Sequence, residues 1–232
     1  MRGLVWVLLP VLVCVACGPT GYLEREGEVY WASYPGNSAF PTLERVEREV
    51  EADPASFRVE PFDDWASDRD HVFYKGRNVG RVDQPSFAAR SASLAADQHN
   101  VWLNETRIEG ADPASFRLLD HDYAVDDRRA YYGSTPFEAC DLPSLRVIGD
   151  GIDAFAIDEA CVFAGSFRAP IQDRASFELL GAGYSRDATG VYWLKYRLEG
   201  ADPQSFHVPP GRRYGVDRSG CWNGARAQAC LQ

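Results

Sequence analysis

Six aspartates recur at a spacing that could do chemistry: Asp68, Asp97, Asp126, Asp158, Asp187 and Asp217. Each stands five residues before an aromatic ring, namely Phe73, Trp102, Tyr131, Phe163, Tyr192 and Trp222. Carboxylates repeated in this way could ligate calcium, but that ion takes roughly six to eight oxygens. One carboxylate per repeat supplies too few unless the repeats stack tightly. Capping of a turn by the aspartate explains the recurrence with less. The four histidines, His71, His99, His121 and His207, offer no shared phase. The chain has no Gly-x-Ser-x-Gly or His-Glu-x-x-His sequence that would place a nucleophile or a metal beside one of them. No catalytic residue, metal site or cofactor is therefore expected. The rings remain. Phe73, Trp102, Tyr131, Phe163, Tyr192 and Trp222 share one strand phase and would align in a row, either as core or as a ligand surface that stacks against envelope sugars. Neighbours along a strand alternate faces, so Tyr74, Leu103, Tyr132, Ala164 and Trp193 form the competing set.

The elements that position these residues follow from a second recurring segment. Asp112-Pro113-Ala114-Ser115-Phe116 returns at Asp53, Asp83, Asp141, Asp173 and Asp202, with Phe57, Phe87, Leu145, Phe177 and Phe206 at its end. From the first kind of aspartate to the next of the second kind is 15 residues in all five cases. The return leg varies: 15, 14, 14, 17, 14 and 15 residues. A constant half and an elastic half imply a rigid unit joined by a tolerant loop, repeated about every thirty residues. After each aromatic strand come two turn residues, among them Lys75-Gly76, Asn104-Glu105 and Gly133-Ser134, which suit a tight hairpin. Asp-Pro then caps a single helical turn, and the phenylalanine enters the core. The fold expected is all-β: tandem hairpin repeats in one linear or curved array, with units near 25–67, 68–96, 97–125, 126–157, 158–186, 187–216 and 217–232. In the first unit Arg25 replaces the aspartate. Leu43, Val46 and Val50 there have helical spacing, which predicts a short helix capping the end of the array.

The cysteines divide by position. Leu4 to Val13 is an apolar run of about ten residues, too short for a bilayer span of ~20. Val15-Ala16-Cys17-Gly18 follows and has the form of a lipobox, so residues 1–16 read as a signal peptide and Cys17 as the lipidated (palmitate-bearing) amino terminus. An ordinary secretory signal and an uncleaved anchor are the competing readings. Residues 17–24 would form the tether and 25–232 the repeat domain. Cys14 follows the bulky Val13 and is the poorer acceptor. Four cysteines remain, an even number suited to disulfides in an exported chain. Sequence proximity favours Cys140–Cys161 and Cys221–Cys230, with two other connectivities open. The net charge of −10 becomes −11 once Arg2 is removed with the signal peptide, and it disfavours nucleic acid as a partner.

The run Asp68-Arg69-Asp70-His71-Val72-Phe73-Tyr74-Lys75-Gly76, taken with Ile108-Glu109-Gly110-Ala111 and the Asp112 segment, resembles the DKNYY family. The resemblance covers roughly residues 53–223 in several copies, although the family's lysine is replaced throughout. It implies tandem repeats of a bacterial exported protein or lipoprotein, with no catalytic residues to carry over. The expectation is a non-enzymatic module in the cell envelope, anchored to the membrane by lipid. Its partner would be another envelope protein or, through the aromatic row, a glycan. Gly18 in place of an aspartate retention signal points to the outer membrane rather than the inner one.

Overall fold

A computed structural model describes residues 20–34, 36, 37, 40, 41, 45–120 and 122–230. The signal-peptide and lipidation residues, Cys17 included, lie outside these, as do Leu43 and His121. The fold is all-β, built from small antiparallel sheets of three or four strands, none closed into a barrel. Two compact units divide at Asp97 and Gln98 and are taken one at a time.

In the unit up to Asp97, Gly21–Arg25, Glu28–Ser33 and Val46–Val50 make a three-stranded sheet. Arg58–Val59, Trp65–Ser67, His71–Tyr74 and Arg77–Arg81 follow as a four-stranded meander, and Ala88–Ala89 pairs with Leu94–Ala96. The helix expected over Leu43–Val50 is not formed by its described residues. Val46–Val50 is a strand paired with Ser33–Val29. The reason is physical. Residues 46 and 50 share a face at a period of two as well as at 3.6, and β-branched valines fit a pleated surface. The open edge of Glu28–Ser33 then decides.

In the unit from Gln98, Val101–Leu103 pairs with Thr106–Arg107. Two meanders follow: Arg117–Leu118, Tyr123–Val125, Ala130–Tyr132 and Thr135–Phe137, then Arg146–Ile148, Phe155–Ile157, Val162–Ala164 and Phe167–Arg168. A third is Glu178–Gly181, Tyr184–Asp187, Gly190–Trp193 and Tyr196–Arg197, and Gly215–Asp217, Gly220–Asn223 and Arg226–Gln228 end the chain. The period is the one in the sequence, but each of these three meanders opens directly after the phenylalanine or leucine that ends a single turn, and so straddles the borders near 126, 158 and 187. The elastic leg is not a mere loop. It holds the first two strands of each meander, and its length varies at the turn between them, longest at 149–154.

The six hairpin turns share a backbone choice. The first turn residue has positive φ in every case: Lys75 (47°), Asn104 (52°), Gly133 (56°), Gly165 (62°), Leu194 (52°) and Gly224 (57°). Gly165 and Gly224 also meet a neighbouring ring at ordinary contact distance. A Cβ there would lie 3.4 Å from the ring of Tyr132 and 3.5 Å from that of Trp193, so a ring of one sheet rests on the turn of the next.

Neighbouring sheets share their cores. Tyr123, Val125, Ala130 and Phe137 of one sheet pack with Leu145, Ala156, Cys161 and Phe163 of the next. Tyr184, Val191, Leu198, Phe206 and Trp222 repeat the arrangement further on. Buried tyrosines tie the sheets as well: Tyr123 Oη donates to Phe163 O (3.3 Å), and Tyr184 Oη to Trp222 O (2.8 Å). Burial pushes the Tyr123 hydroxyl up to about 12. Both cross-links favoured by proximity are present, Cys140–Cys161 (Cα–Cα 6.0 Å) and Cys221–Cys230 (5.0 Å).

Candidate functional site

The repeated aspartates are buried, and their oxygens are already occupied. Asp126 is the fullest example. Its Oδ1 accepts the N–H groups of Arg128 and Arg129, capping the turn before the aromatic strand. Its Oδ2 accepts the N–H of Asp112 (3.0 Å) and the hydroxyl of Tyr131 (2.6 Å). The two kinds of repeated aspartate are therefore partners, joined across the return leg. Asp53 N–H binds Asp68, Asp83 binds Asp97, Asp141 binds Asp158, Asp173 binds Asp187 and Asp202 binds Asp217 in the same way. A serine completes the clasp: Ser115 Oγ donates to Asp112 and accepts the N–H of Asp127. Ser56, Ser144, Ser176 and Ser205 accept from the residues after Asp68, Asp158, Asp187 and Asp217.

Carboxylate oxygens faced by N–H and O–H donors are the reverse of a cation site. Cys140, Asp158 and Cys161 bring their ligand atoms within 4.8 Å of one another. Both sulfurs are in the disulfide, however, and Asp158 accepts from Cys140, Asp141, Ala160 and Cys161.

Burial raises the Asp126 carboxyl, but hydrogen bonds from Tyr131 and from the Asp112, Arg128 and Arg129 amides outweigh it and hold the group below the ordinary carboxylate range. Asp187 and Asp217 are lowered in the same way, against burial, by the amides of Asp173 and Asp202 and by Thr189 and Ser219. A carboxyl with a depressed native value stabilises the fold above its unfolded value, ~3.9. That contribution is lost as pH falls through the native value. The stability difference between the natural chain and Asp126→Asn should thus be full above about pH 5 and shrink below about pH 4. Urea melts at stepped pH measure it; a difference independent of pH would remove the charge from the account.

The aromatic row is core. Phe73, Trp102, Tyr131, Phe163, Tyr192 and Trp222 are all buried, none more than 4% exposed. They cannot present a ligand surface, which corrects that expectation. The cause is on the opposite strand, where small residues face these rings: Ala66 faces Phe73, Ala124 faces Tyr131, Ala156 faces Phe163, Ser185 faces Tyr192 and Gly215 faces Trp222. That leaves room for the anchor of the same repeat. A Cβ on Gly215 would lie 2.0 Å from the Phe206 ring.

The competing set is mixed: Tyr74 and Ala164 are buried, and its other members reach solvent. Tyr132 is exposed and Trp193 half-buried. With Phe167, Lys195, Tyr196 and Gly165 they line an open cavity of about 500 Å³ beside the hairpin turns. Sequence reasoning missed Phe167, Lys195 and Tyr196. The available signal was Lys195 itself, one of two lysines in the chain, set between Trp193 and Tyr196.

Stacked meanders clasped by buried aspartates, with rings left at their turns, define a class: an all-β tandem-repeat protein whose repeated polar residues hold structure. The DKNYY family profile matches residues 94–225, more than half of the chain. The chain belongs to the DKNYY family. No curated protein and no solved structure matches it.

Proposed function

We propose that the chain is a non-catalytic binding module of the cell envelope, held to a membrane by lipid on Cys17. The carrying observation is the use of the recurring carboxylates. All six accept a backbone N–H from the turn across the return leg, so the residues that repetition singles out maintain shape rather than act on a substrate. Large hydrophobic side chains stay exposed at the turns, where a partner would dock. Two disulfides suit an oxidising compartment. Among the described residues no helix is long and apolar enough to cross a membrane, and a thioether-linked lipid on Cys17 would supply attachment without one.

Cells expressing the natural chain and Cys17→Ala, fed a labelled fatty acid and fractionated, test the anchor. The label and the membrane association should both be lost in the variant. Equal labelling of the two chains would overturn the lipid assignment.

A further inference from the structure

We propose that the cleft at Trp193 and Tyr196 is a binding site for an acidic oligosaccharide. The proposal deepens the binding-module reading by naming the ligand class on one face, and rests on that reading only for the compartment.

Four observations converge. First, the rings gather there. Among the described residues from Gln98 on, Leu118, Tyr132, Phe167 and Tyr196 are the exposed large hydrophobic side chains, and three of these four line the same cavity. Second, Trp193 and Tyr196 lie nearly parallel, 15° apart with centroids 6.4 Å from each other. They are shared with a second cavity of about 800 Å³ that also includes Arg213, Asn223 and Arg226. The two cavities share this pair in their lining, and each is of a size that small ligands fill.

Third, the charge of the walls opposes that of the chain. Asp and Glu outnumber Lys and Arg by 34 to 24, yet no carboxylate lines either cavity, while Lys195, Arg213 and Arg226 do. None of these three cations makes an ion pair among the described residues. Lys195 Nζ sits 3.3 Å from the centroid of the Phe167 ring and 5.6 Å from that of Tyr196, a contact that holds the cation over the cleft. Fourth, the outer strands beside the cleft, Phe167–Arg168, Tyr196–Arg197 and Arg226–Gln228, have two or three residues each. Such edges are too short to accept a peptide as an added strand. A pyranose instead lays its C–H face on a flat ring and needs no strand edge. A sugar carboxylate then answers the cations.

Titration calorimetry of the full chain in detergent, with tetragalacturonate, cellotetraose, tetraglutamate and a short oligothymidylate, tests the site. Tetragalacturonate should bind, with an affinity at least about tenfold above that of the other three. Tyr196→Ala and Lys195→Gln change exposed or half-exposed side chains and should melt like the natural chain, yet each should weaken binding about tenfold or more. Absence of tetragalacturonate binding, equal affinity in both variants, or a preference for tetraglutamate or the oligonucleotide would each overturn the proposal. Those results leave the Cys17 fractionation unaffected, so failure of the ligand class and failure of the anchor are separable.

Discussion

Asp126→Asn should cost the fold about 1–3 kcal/mol, the range found when a buried hydrogen-bonding group is left unsatisfied. The substitution keeps the shape and replaces one acceptor oxygen with an NH2 donor. Asp126 Oδ2 accepts from Asp112 N–H and Tyr131 Oη, and Oδ1 from two amides of the turn. Turned one way, the new amide faces the N–H groups of Arg128 and Arg129; turned the other, it faces the Asp112 N–H, while the Tyr131 hydroxyl can rotate to accept from it. A buried donor without an acceptor costs about 1–3 kcal/mol, and at least one arises in either orientation. Urea denaturation of both chains gives the difference. A cost under about 1 kcal/mol would mean that the clasp is filled as well by an amide, and that the carboxylate is retained for another reason.

Phe116→Ala should cost more, about 3–5 kcal/mol, through the cavity left by a core ring. Phe116 is buried against Tyr131, ring centroids 5.3 Å apart, directly after the capped turn at Asp112. Loss of the Asp112 cap alone, at an exposed turn, should cost less. Phe116→Leu, which keeps most of the volume, should recover the larger part of the loss. If Phe116→Ala melts like the natural chain, the phenylalanines that end each Asp-Pro segment do not hold the repeats together. The two variants probe one repeat from its polar and apolar sides. They touch through Tyr131, so their costs are not expected to add.

Much of this architecture was legible because repetition averages out local ambiguity. Six copies of an aspartate five residues before a ring, five of them 15 residues from the next segment of the Asp112 kind, gave the period, the hairpin and the anchor. Sequence proximity of the cysteines favoured the two pairings that form. The second strand of each meander was harder to see. Its centre is Ala66, Ala95, Ala124, Ala156 or Ser185, residues without marked strand preference, small because a ring crosses them. A position always occupied by a small residue, two before the aspartate, was nevertheless a readable signal. Burial of the aromatic row was not readable, since a strand pattern does not say which faces a neighbour covers. Here the second and first positions of the aromatic strand are both covered, as Phe163 and Val162 show, and only the third, at Tyr132 and Trp193, reaches solvent. The helix over Val46–Val50 failed for a related reason: a four-residue spacing fits both periods, and pairing chose between them.

The clasp also bears on how such a chain comes to be folded. Its hydrogen bonds join residues no more than 18 positions apart, and the tyrosine ties of Tyr123 and Tyr184 between neighbouring sheets span 38 to 40. β-Proteins usually fold slowly because distant strands must meet before any contact rewards the loop closure. In this chain each meander closes on itself over a short loop, where closure is entropically cheap, and then offers a finished face to the next segment. Growth can start at any repeat and pass along the chain in either direction, as in a one-dimensional crystal.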